Sequence, residues 1–259
     1  MDDDRIKKPP FTGSPSVGWH LKKRAGQKRV TLELGGNAGL IIHDDADIEL
    51  AATRSVTGAF SFAGQICISI QRIYVHKKVF DKFSKLFIKK VASLKLGDPM
   101  DETTDVGPLI DQGSLDRTEQ WVDEAVKDGA KVLAGGKRDG SFFLPTVLTD
   151  TKPSMKVCGS EVFAPVVTLE PYDDFEGAVA RVNDSDFGLQ AGLFTNDIKR
   201  IFYAYEELEV GGLVVNDIPT YRVDNMPYGG VKDSGFGREG VRYAIEEMTE
   251  IKLLALNLK

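Results

Sequence analysis

Short apolar runs alternate with amphipathic stretches along most of the chain, and this alternation constrains the fold more than any other feature. Residues 30–34, 40–42, 72–75, 131–134, 166–169, 192–195 and 212–215 are strand-sized and bounded by turn residues such as Gly35-Gly36 and Gly129. Residues 47–58, 78–94, 111–128, 174–183 and 198–208 carry helical spacing. The clearest case is 78–94, where Val79, Phe80, Phe83, Leu86, Phe87 and Val91 fall on one side. Strands alternating with helices predict an α/β fold whose layers surround a largely parallel sheet. Residues 135–140 read as a loop, residues 238–248 as a late helix and residues 251–258 as a terminal strand.

Composition narrows the partners. A net charge of -6 argues against non-specific nucleic-acid binding. The basic cluster Lys22, Lys23, Arg24, Lys28 and Arg29 is read as a solvated helix face. The charged opening Met1-Asp2-Asp3-Asp4-Arg5 lacks periodicity and is expected to fray. No apolar run approaches the roughly 18 residues that span a bilayer, so no membrane partner is expected. Two cysteines, Cys67 and Cys158, are not a disulfide framework, and a reducing cytoplasm is the expected location.

Two positions stand out chemically. Glu33 is a carboxylate in an otherwise apolar strand ending in Gly35-Gly36; it is either an edge residue facing water or a group held at the sheet's carboxyl end, where α/β clefts form. Cys67 closes Gly64-Gln65-Ile66-Cys67; alone, such a thiol is more often core packing than a nucleophile. The three histidines, His20, His43 and His76, lie in neither motif and are read as structural or exposed, with no metal site expected.

Taken together, Leu32-Glu33-Leu34-Gly35-Gly36 and the Cys67 motif about thirty residues on resemble the aldehyde dehydrogenase superfamily. Phe11-Thr12-Gly13-Ser14, Glu161-Val162-Phe163-Ala164-Pro165, Pro227-Tyr228-Gly229-Gly230 and Ser234-Gly235-Phe236-Gly237-Arg238-Glu239 extend the resemblance over nearly the whole chain. It implies an aldehyde dehydrogenase-like catalytic domain at 36–233, a remnant of a Rossmann-type NAD(P)-binding domain at 1–35, and a helix with an oligomerisation strand at 234–259. It also implies NAD(P)-dependent oxidation of a small aldehyde to its acid. Cys67 would add to the aldehyde as a thiolate, and a thioester would form once hydride has left. Glu33 would activate the hydrolytic water. Backbone N–H groups, that of Cys67 included, would hold the oxyanion.

The cofactor, NAD or NADP, would meet Gly13, Ser14, Leu34, Gly35, Glu161 and Phe163. The terminal strand would pair with a neighbouring subunit in a homodimer or homotetramer. Members of the family are about twice as long, so the chain reads as a truncated form with impaired activity that binds cofactor weakly. The alternative is an inactive fragment serving as a scaffold or subunit-interaction module. Asn37, where the family usually has Lys, and Ala164, where it usually has Gly, are smaller departures. Residues 65–69, 222–228 and 242–249 resemble the branch acting on lactaldehyde and small anionic aldehydes such as phosphonoacetaldehyde or glyceraldehyde 3-phosphate. There Arg222, Ile66 and Ile68 are the candidate substrate contacts, with a salt bridge to a nearby acid as the other reading of Arg222.

Overall fold

The computed structural model describes residues 1–258. Seven strands form the main sheet, in the order Gly212–Val215, Gln190–Phe194, Ala38–Ile42, Ile70–His76, Val166–Tyr172, Thr146–Thr149 and Lys131–Ala134. All neighbours run parallel except the last pair. Ala38–Ile42 and Ile70–His76, near its middle, are buried at every position. A strand covered on both faces has no reason to alternate apolar with polar, which is why 38–42 reads as an unbroken apolar run.

Alternation reappears in where the side chains go. Leu40, Ile42, Ile73 and Val75 join one core, under the helices Ile48–Phe60 and Lys77–Val91, whose Phe60, Phe83 and Phe87 rings stack. Ile41, Tyr74 and Leu193 face the opposite core, with Val179 and Val182 of Phe175–Asn183 and Ala204 of Ile198–Glu207. A Cβ on Gly39 would lie 2.7 Å from Val182, so this glycine lets the Phe175–Asn183 helix sit close to the sheet. Asp47, Asp111, Asp174 and Asp197 each cap a helix by accepting a first-turn N–H. Such caps contribute about 1 kcal/mol each.

Arg72 is buried on the Ile70–His76 strand, and no carboxylate is hydrogen-bonded to it among the described residues. Its guanidinium donates to Asn37 Oδ1 (3.0 Å) and O (2.9 Å), and to the carbonyls of Arg181 (2.8 Å) and Val182 (3.0 Å). Those last two carbonyls lie at the negative end of the Phe175–Asn183 helix, which favours a cation. Asn37 also donates to the Cys158 carbonyl at 2.6 Å. The departure from Lys at this position thus has a local structural use.

A second, three-stranded sheet stands apart. Pro10–Thr12 pairs in parallel with Thr31–Glu33, linked through the Pro15–Arg24 helix, and Gly235–Phe236 pairs antiparallel on the other side. Leu32 and Leu34 pack there with Val30 and Ala25, against Phe11 and Trp19.

Two expectations are corrected. The N-terminus is tied down rather than frayed: Lys28 donates to the carbonyls of Met1 and Asp3, and Arg24 pairs with Asp2. Residues 135–140 are not wholly loop, since Arg138–Asp139 pairs with Phe142–Phe143. Among the described residues, 251–258 form no ladder with any strand of the chain. Ile251, Leu253, Leu254, Leu256 and Leu258 are exposed there.

Candidate active site

Cys67 sits at the end of a loop built under constraint. After the Ile48–Phe60 helix the chain turns through Phe62, Ala63 and Gly64, with φ of 53°, 55° and 69°. Two consecutive non-glycine residues in the left-handed region cost on the order of 1–3 kcal/mol each, so surrounding contacts must hold them. The Gln65 side chain supplies several: its Nε2 donates to Phe62 O and Pro108 O, and its Oε1 accepts from Ile110 N at 2.9 Å. The glycines fix the approach. A Cβ on Gly64 would lie 2.2 Å from Ala164 O, and one on Gly36 only 1.9 Å from Cys67 O. Gly36 is the contact that brings the end of the Glu33 strand against the thiol loop.

The Cys67 sulfur is half-buried and lies 3.3 Å from the Tyr228 hydroxyl. Burial pushes its pKa up, and the charges of Glu161 and Glu33 push the same way; the Tyr228 hydrogen bond and the residue's own N–H oppose them. Glu33 lies on the middle strand of the small sheet and is 5 % exposed, which excludes the reading of an edge residue facing water. Among the described residues, neither carboxyl oxygen has a hydrogen-bond partner. Burial, then the charge of Glu239, raises its pKa to about 8 against the pull of Arg238 and Arg222.

One open cleft of about 1070 Å³ gathers most of the expected cofactor-side residues. Gly13, Ser14, Leu34, Gly35, Ile66, Cys67, Glu161 and Phe163 all line it. Phe163, with φ of 52°, is 38 % exposed and lies in the cleft rather than the core. Glu161 accepts from Gly36 N through Oε1 at 2.7 Å, and burial raises its pKa. The Gly13 N–H is already engaged by Glu33 O at 3.0 Å. No side chain caps the Pro15–Arg24 helix, so the start of that helix is open toward the cleft.

Two substrate candidates lie elsewhere. Ile68 is buried with Leu189 and Tyr228, beneath the surface that Ile66 helps to line. Arg222 is engaged by Glu239 at 3.0 Å, the salt-bridge reading of that residue, and its guanidinium lies 4.2 Å from the Tyr228 ring centroid. Sequence reasoning missed the hydroxyl of Tyr228 as a partner of the thiol, along with Arg117 and Ser114, which line the cleft. Tyr228 was visible inside its motif, but nothing in the order of residues brings it to Cys67. His43 and His76 are buried in ring contact 4.9 Å apart, and His20 is exposed.

The chain is similar to known proteins over nearly its whole length. The 3-sulfolactaldehyde dehydrogenase of Priestia aryabhattai is 54% identical over 248 residues, which cover 96% of this chain and 52% of that protein. The structure of aldehyde dehydrogenase 21 from Physcomitrella patens in complex with the reaction product succinate superposes with a TM-score of 0.93 at 46% identity, covering 96% of this chain and 52% of that one. The glyceraldehyde-3-phosphate dehydrogenase GapN from Methanocaldococcus jannaschii, complexed with NADP, also gives 0.93, at 43% identity over 96% of this chain and 54% of its own. The chain thus spans about half the length of the relatives it matches. Among the described residues no helix is long and apolar enough to cross a membrane. Residues 1–254 match the model of the aldehyde dehydrogenase family, and the chain belongs to that family.

Proposed function

We propose that this chain carries the nucleophile and base of an NAD(P)-dependent aldehyde dehydrogenase, with Cys67 as nucleophile and Glu33 as general base. The observation that supports it most is the convergence of Cys67, Glu161, Phe163 and the Gly13–Ser14 turn on one cleft. The Cys67 thiolate adds to the carbonyl carbon. The Cys67 N–H has no backbone acceptor among the described residues, and once the sulfur is bonded to carbon it would donate to the oxygen that gains charge. Loss of hydride from that adduct to a bound cofactor would leave a thioester, and Glu33, buried and without a hydrogen bond among the described residues, takes a proton from the water that cleaves it.

The cleft suits a nicotinamide dinucleotide in two respects. A Cβ on Gly35 would lie 2.6 Å from Glu161 Oε2, so glycine keeps the backbone beside that carboxylate narrow. The open start of the Pro15–Arg24 helix favours phosphate. Glu161 would hold ribose hydroxyls, Phe163 would flank the ring, and the bound cofactor would accept hydride. For substrate we favour a small anionic aldehyde. Arg222 is the candidate anion partner, since its bond to Glu239 joins two partly exposed groups and gives way at small cost. We assign 1–35 to the cofactor side, 36–233 to the catalytic domain and 234–259 to assembly.

The test is alkylation by iodoacetamide at neutral pH with peptide mapping. Both thiols have raised pKa values, so access decides, and Cys67 in the cleft should label ahead of the buried Cys158. Labelling of Cys158 first would remove the nucleophile assignment.

A further inference from the structure

Tyr228 is 5 % exposed, and the hydrogen bond of its hydroxyl goes to the Cys67 sulfur. A buried hydroxyl costs free energy unless it is bonded, and a phenylalanine ring would fill the same cluster with Ile68 and Leu189 without that cost. The ring is also held in place from outside. Tyr228 N donates to Glu239 O at 3.1 Å, and Glu239 N donates to Tyr228 O at 2.6 Å. The Arg222 guanidinium also lies over the ring face, 4.2 Å from its centroid. The hydroxyl therefore reaches the sulfur from a fixed direction.

We propose that Tyr228 is a positioning residue for the nucleophile: its hydroxyl donates to the Cys67 sulfur, favours the thiolate and aims it into the cleft. This rests on the assignment of Cys67 made above. The groups facing the sulfur come from four elements. Glu33 on its strand and Glu161 on its loop oppose a negative charge there, as does burial. The residue's own N–H and the Tyr228 hydroxyl favour it. Arg222, Arg238 and Glu239 act one step away, through Glu33 and Tyr228. Burial, with Cys67 and Glu33, pushes the phenol's pKa up, so it stays protonated and remains a donor. A hydrogen bond to a charged partner is among the stronger kinds, and loss of this one leaves the thiolate with its own N–H alone.

The test is Tyr228→Phe in the full chain, which keeps the ring and removes only the hydroxyl. Alkylation of Cys67 by iodoacetamide is followed by peptide mapping from about pH 6 to about pH 10, with Cys158 as internal reference. The expected result is a Cys67 profile displaced to higher pH, with labelling roughly tenfold slower on the rising limb, a displacement of about one pKa unit. The Cys158 profile stays where it was. A Cys67 profile that stays in place or moves to lower pH overturns the inference. Labelling of Cys158 ahead of Cys67 in the unsubstituted chain instead overturns the nucleophile assignment, so the two failures are distinguishable.

Discussion

Glu33 shows how much a single side chain can contribute when its surroundings leave it unpaired. A carboxyl group of ordinary pKa 4.5 is held at about 8 because burial disfavours its charge. The sign of the stability effect follows. Between these two values the folded chain retains a proton that the unfolded chain has released, so stability is fully present on the acid side and is lost as pH rises toward 8. Glu33→Gln removes that dependence. The melting temperature of the variant should therefore gain on that of the parent from about pH 5 to about pH 8, by an amount on the order of a few kcal/mol in stability at the upper end. A difference that stays constant over this range would mean that Glu33 ionises freely in the folded chain. The same proton bears on chemistry, since the base form of Glu33 grows as pH approaches 8. Glu33 itself was legible in the sequence as a carboxylate in an apolar strand. Its lack of hydrogen bonds was not, because that depends on Gly229 and Gly235, two hundred residues away, closing over it.

At the scale of elements, periodicity located nearly every strand and helix of the main sheet, since strands buried on two faces and helices buried on one leave different patterns. The aspartates that cap four of these helices, Asp47, Asp111, Asp174 and Asp197, emerged only from the structure. The strand order was not legible, nor was the three-stranded sheet that joins Pro10–Thr12 to Gly235–Phe236, because pairing between distant segments leaves no local mark. Residues 251–258 read as a strand that pairs with a neighbouring subunit, and their apolar side chains stand exposed in the single chain. Covering a strand edge requires a partner, and we propose that a second copy provides one by reciprocal exchange. Light scattering on a chain lacking residues 250–259 should give a lower oligomeric mass, or aggregation, relative to the parent. An unchanged monomer in both would rule out this role.

For the whole molecule, the main sheet acts as a platform and the small sheet as a wall, with the cleft between them. Gly36 joins the two by admitting Cys67 O where a side chain could not fit, so the strand of Glu33 meets the thiol loop, and the Glu33 charge acts on the sulfur from 34 residues away in sequence. The motifs disclosed both residues; the contact between the glycine and the thiol loop, and the hydroxyl of Tyr228, emerged only from the folded chain. The central claim is that Cys67 accepts an acyl group which Glu33 helps water to remove, and it can be tested without cofactor. An activated ester such as p-nitrophenyl acetate forms the acyl-thioester directly. Mass spectrometry with peptide mapping then reads where the acyl group sits and how long it lasts. Acylation is expected at Cys67, with an adduct that decays in the parent and persists roughly 10²–10⁴-fold longer in Glu33→Gln, the usual scale for loss of a general base. Acylation at Cys158, or equal decay in parent and variant, would contradict it.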